Sequence, residues 1–137
     1  MCLDFLSEFE IKSDEGYKMF LNRKRKLYGV FWAGNTEKEY PTNIWLKEKD
    51  YRNPCFWKLK STNEKEIEIS PFTKYKPGFH IFINKNDAEK FFESQIPCRS
   101  NYFIKKVKFR NIVAKGIQES LFQTVVAKEM MVLDDEI

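Results

Sequence analysis

YFIKKVKFRNIVAKG (102–116) and FQTVVAKEMMVL (122–133) read as two long strands. Both are rich in β-branched and aromatic residues, and neither contains proline. In the first, Phe103, Val107 and Phe109 share one face, while Tyr102, Ile104, Lys106, Lys108 and Arg110 share the other. Gly116 is expected at a turn or bulge between them. Two antiparallel strands of this length need other strands beside them and a layer to cover one face.

The remaining chain supplies both. GYKMFL (16–21) and LYGVFWA (27–33) flank NRKRK, which suggests a hairpin with a basic turn. GNTEKEYPTN (34–43) reads as loop, with Pro41 blocking regular pairing. IWLKEKDYRNPCFWKLK (44–60) reads as irregular, with a short strand at Cys55–Leu59, because Asn53-Pro54 interrupts any helix begun at Ile44. STNEK (61–65) is a loop tip. Ile67 and Ile69 alternate with acids as in a half-buried strand, and FHIFI (79–83) follows the turn Pro77-Gly78 as another.

One helix is expected. Asn86 can cap it with Glu89 at the third helical position, and Pro97 ends it. Ala88, Phe91, Phe92 and Gln95 recur at i, i+3, i+4 and i+7, so the first three form an apolar stripe. The expected fold class is therefore α+β: mostly antiparallel sheet with one short helix (about 86–96) packed against it. A single domain covers 1–137, with 1–15 and 134–137 peripheral or frayed.

Composition bounds the function. The 22 aromatic residues among 137 provide a core despite 32% charged residues. Cys2, Cys55 and Cys98 are odd in number and widely spaced, as suits reduced thiols and not a disulfide framework or a zinc site. The acidic N-terminus lacks the basic start of a signal peptide, and no apolar run reaches membrane-spanning length. A protein of the host-cell cytoplasm, with no membrane partner, is the expectation. Net charge is +4, yet residues 1–17 carry −4 and residues 18–60 carry +7, so the basic character belongs to one region.

His80 is the only histidine. On a strand among Phe79, Ile81, Phe82 and Ile83 it reads first as a structural residue, because no local partner orients it for acid–base work. Gly-x-Ser-x-Gly, phosphate-cradling glycine loops and clustered metal ligands are all absent from the sequence, so no cofactor and no metal is expected. Arg23, Lys24, Arg25 and Lys26 form four consecutive cations in a predicted turn flanked by aromatic strands. Lys106, Lys108 and Arg110 would line a strand face beside Tyr102. Cations interleaved with aromatics suit phosphates and stacked bases, although a lysine-rich outer sheet face is also the ordinary solvated surface. Trp32, Trp45 and Trp57 are interface anchors where exposed and core residues where buried.

Two resemblances add to this. The order His80, Tyr102 and a late glutamate, Glu119 or Glu129, resembles the histidine–tyrosine–glutamate order of ADP-ribosyltransferases, which implies a small enzyme. The Glu66–Glu68 motif precedes the histidine, the wrong order for that superfamily's arginine branch. YPTNIW, YKPGFHIF with DAEKFF, VKFRNIVAKG and VVAKEMMVL together resemble small uncharacterised phage and prophage proteins over roughly residues 17–133. That resemblance implies a viral or mobile-element origin, and with it a protein that binds and blocks a host component such as a defence complex. The expected function is a non-catalytic binding or inhibitory protein. It would engage a nucleic acid, or a host protein or nucleoprotein complex, through Arg23–Lys26, Tyr102, Lys106, Lys108 and Arg110. The alternatives are the ADP-ribosyltransferase-like enzyme and a nucleotide-sequestering protein with an aromatic pocket.

Overall fold

A computed structural model describes residues 3, 5–28, 38–51, 67–70, 73–76, 78–95, 102–118 and 122–134. In chain order these form β1 (Phe5–Leu6), β2 (Glu15–Arg23), β3 (Lys26–Tyr28) and β4 (Trp45–Lys47). A 3-10 turn (Glu48–Tyr51), β5 (Ile67–Ser70), β6 (Thr73–Tyr75) and β7 (Phe79–Phe82) follow, then α1 (Lys85–Gln95), β8 (Tyr102–Gln118) and β9 (Phe122–Val132). The protein is α+β, a mostly antiparallel sheet with a single short helix among the described residues.

The seven-stranded sheet has the order β1-β8-β2-β7-β9-β4, with β3 on β2, while β5 and β6 pair separately. Because β8 also pairs with β9, the strands β8, β2, β7 and β9 form a closed circuit. β8 serves both halves: residues 102–108 pair with β2, and residues 107–118 pair with β9. Between these roles the strand turns a corner. Asn111 adopts φ 61°, and the register shifts between Ile112 and Ala114. A residue in the left-handed region followed by a bulge re-aims a strand and increases its twist. Gly116 is neither turn nor bulge, contrary to expectation. It sits in regular ladder between Leu6 and Thr124, and strands on both sides fix it there.

One buried cluster fills the circuit and the space beneath β3, β4 and the 3-10 turn, including Phe20, Ile81, Val107, Phe109, Val125 and Met130. A second lies under α1, where Ala88, Phe91 and Phe92 meet Met19, Phe82 and Phe122. The predicted stripe is thus the helix's buried face. The cap is displaced from the expected Asn86 by two residues. Asn84 precedes the helix, its carbonyl accepts from the Ala88 N–H (3.1 Å), and its Nδ2 donates to Asp87 (3.3 Å). Asp87, at the third helical position, takes the place expected of Glu89. The expected strand at Cys55–Leu59 and the stop at Pro97 lie outside the described residues, as do Trp32, Trp57 and the three cysteines.

The circuit closes between β2 and β7 through one rung, Tyr17 opposite Phe82. Gly16 makes that approach feasible, since a Cβ there would lie 2.5 Å from Ile81 Cγ2 and 2.6 Å from the Phe82 carbonyl oxygen. The backbone atom cannot swing aside. Gly16→Ala is expected to destabilise the fold by about 1–3 kcal/mol through overpacking, read as a lowered urea midpoint. Gln118 is 1% exposed and neither amide atom has a hydrogen-bond partner among the described residues. Gln118→Met removes those buried polar atoms at similar volume, so a gain of about 1–2 kcal/mol is expected in the same measurement.

Candidate nucleic-acid interface

His80 lies in a buried and fully satisfied network. Its Nδ1 is 3.2 Å from the Gly78 carbonyl oxygen and its Nε2 is 2.9 Å from the Tyr75 hydroxyl. A carbonyl only accepts, so the proton is assigned to Nδ1 and Nε2 accepts from the tyrosine O–H. The tyrosine oxygen in turn accepts from the Leu3 N–H at 3.0 Å. Burial, reinforced by the Lys18 cation, pushes the His80 pKa down to about 3 against the opposing bond to Gly78. The ring is a neutral tie between the N-terminal segment, β6 and β7. Lys18 donates to the His80 carbonyl (2.9 Å), and its own pKa is lowered by burial to about 8, with Glu48 opposing.

The other members of the histidine–tyrosine–glutamate order stand apart. Tyr102 begins β8 and packs edge-on against Phe92, with ring centroids 6.1 Å apart. Glu129 lies opposite Arg110, eight residues further along β8 and so about 26 Å of strand away. Arg110 grips Glu129 through two nitrogens at 3.0 and 3.2 Å, and Asn111 donates to the same carboxylate. The Arg110 guanidinium lies 4.0 Å from the centroid of Trp45. Hydrogen bonds from Arg110 hold the Glu129 pKa below the usual carboxylate range, despite partial desolvation. Glu119 lies outside the described residues.

The expected binding residues fall into two groups. Arg23, Lys24, Arg25 and Lys26 are all exposed, at the tip of the β2–β3 hairpin. Three rungs pair Leu21 with Tyr28, Asn22 with Leu27 and Arg23 with Lys26, leaving Lys24 and Arg25 as a two-residue turn. Both have positive φ, 51° and 69°, the pattern of a type I′ turn. Arg23 covers Tyr28 at 5.6 Å, and Lys26 lies 3.9 Å from Glu39. Lys24 and Arg25 have no acidic partner among the described residues. Tyr102 belongs to this end, opposite Leu21.

Lys106, Lys108 and Arg110 belong to the far end of β2. Lys106 is opposite Tyr17 and 4.0 Å from Glu15, Lys108 is opposite Glu15 in register, and Arg110 is held by Glu129. Arg23 is six residues from Tyr17, about 20 Å along the strand. Register therefore separates the two groups, and acids answer much of the second. Sequence alternation missed Phe103. Placed on the face of Val107 and Phe109, it is nonetheless 46% exposed, although its neighbour across β2, Phe20, is fully buried. The signal available was position near the strand's start, where cover from other elements ends.

An open groove of about 530 Å³ lies between the N-terminal segment, β6 and the bend of β8, lined by Leu6, Tyr75, Lys76, Ile112 and their neighbours. Among the described residues no group of three His, Cys, Asp or Glu could hold a metal, and no helix is long and apolar enough to cross a membrane. The chain matches no family model, no curated protein and no solved structure.

The neutral His80 gives a pH signature. The unfolded chain binds a proton at this residue near the ordinary 6.5, while the folded chain resists it until about 3. Stability from this source is fully present above pH 6.5 and is lost as pH falls through that window, by up to about 1.4 kcal/mol per pH unit. His80→Gln should be less stable at neutral pH and should flatten this loss between pH 6.5 and 5. Urea titrations of both proteins across that range provide the test.

Proposed function

We propose that the protein is a non-catalytic binding protein whose β2–β3 hairpin engages a phosphate-rich partner, nucleic acid or the nucleoprotein complex of a host. The observation that carries this is the turn itself. Two adjacent cations without acidic partners among the described residues occupy left-handed backbone at the hairpin tip, where asparagine and glycine are the favoured residues. Left-handed backbone costs a non-glycine residue about 1–2 kcal/mol, and such strain gathers at functional positions. Cations exposed at a tip reach phosphates without displacing other groups, and each phosphate neutralised releases counterions. A catalytic role for His80 would require the ring to leave a closed set of hydrogen bonds; the exposed hairpin faces no such barrier. The resemblance to small uncharacterised phage and prophage proteins implies an origin in which binding and blocking a host component is common, and a partner of this charge fits that role.

The double variant Lys24→Asn/Arg25→Gly separates stability from binding. It installs the favoured turn, so stability should rise by about 1–2 kcal/mol. The same change should weaken binding to nucleic acid. It should also reduce the slope of log affinity against log salt by about 1.4–1.8, for two phosphate contacts. Anisotropy titrations over a salt series read this slope, and a slope equal to wild type would remove the hairpin from the interface.

A further inference from the structure

The hairpin end carries an aromatic as well as cations. Phe103 faces Phe20 across the β2–β8 ladder, and the next rung pairs Leu21 with Tyr102. Lys24 and Arg25 lie four and five residues beyond Phe20, so Phe103 stands about 13–17 Å of strand from these cations, while Arg23, an odd three residues on, belongs to the other face. Lys105, two residues on and hence on the same strand face, is half-exposed and opposite Lys18. The 46% exposure of Phe103 thus falls between cations on both sides. The other described rings at this end are engaged: Tyr28 lies under Arg23 and Tyr102 lies against Phe92.

We propose that Phe103, Lys105, Lys24 and Arg25 form a site for single-stranded nucleic acid, a base stacking on Phe103 while neighbouring phosphates meet the cations. The site rests on the hairpin being a phosphate-binding element, and Phe103 sets the class of ligand. A duplex keeps its bases stacked on one another and presents none to a protruding ring, whereas a single strand offers a π-face at every nucleotide. Stacking is indifferent to sequence and insensitive to salt. The two contributions therefore report separately.

The probes are a fluorescein-labelled oligothymidine and a labelled mixed-sequence duplex of equal length, titrated with the full-length protein at low and physiological salt. The oligothymidine should bind more tightly than the duplex. Phe103→Ala should weaken oligothymidine binding about tenfold or more with an unchanged salt slope, and Phe103→Trp should retain it. Circular dichroism confirms that each variant is folded. Unchanged binding by Phe103→Ala, beside weakened binding by Lys24→Asn/Arg25→Gly, overturns the stacking site and leaves the hairpin function standing. Preference for the duplex does the same. A loss confined to Phe103→Ala removes the hairpin cations and the function proposed for them. Failure to bind either probe overturns the single-strand site and leaves the hairpin function only a nucleoprotein partner.

Discussion

A 17-residue strand extended at about 3.3 Å per residue is roughly 56 Å long, whereas a compact chain of this size has a radius of gyration of about 14 Å. β8 must bend, and the architecture follows from where it does. Asn111 in left-handed backbone and the adjacent register shift divide it into an arm for β2 and an arm for β9. Were β8 straight, β2 and β9 would diverge and β7 could not pair with both. The bend also brings Asn111 and Arg110 to Glu129, so the corner is fastened by charge where its backbone is least regular.

Two polar arrangements stabilise this frame by opposite means. The His80–Tyr75–Leu3 chain is buried and neutral, so its strength comes from complete pairing in a dry setting. The Arg110–Glu129 pair is partly exposed and ionised, with Trp45 beneath the guanidinium. Neither resembles a site poised to turn over a substrate. The proposed binding function rests instead on Lys24 and Arg25, which are exposed at the hairpin tip and have no acidic partner among the described residues.

What the sequence disclosed follows from the range of each signal. Alternation and capping are local, so β2, β5, β7, β8 and β9 were legible, and so was the helix with its Phe91–Phe92 face. The cap slipped by two residues because Asn84 and Asn86 offer the same chemistry, and only the backbone distinguishes them. The bend was illegible because Asn111, although asparagine tolerates left-handed backbone, lies inside a run that reads as continuous strand, while Gly116 attracted the turn by its type alone. Pairing register is a long-range property. The sequence therefore leaves open whether the basic residues of 23–26 and 106–110 form one surface, and register along β2 holds them at opposite ends. The exposure of Phe103 was hidden for the same reason, since cover is supplied by distant elements.

β1 and β2 are made before β8, the strand they pair with; Phe5 waits for Ile117 and Glu15 for Lys108. Contacts so remote in the chain form slowly, because loop closure precedes any reward from pairing. During synthesis β2 has only its hairpin with β3 and a single rung to β7 until β8 is delivered, and its aromatic residues lack full cover until then. The sheet therefore closes only after β8 and β9 have been made, and a chain truncated before β8 would lack the strand that pairs with β1, β2 and β9.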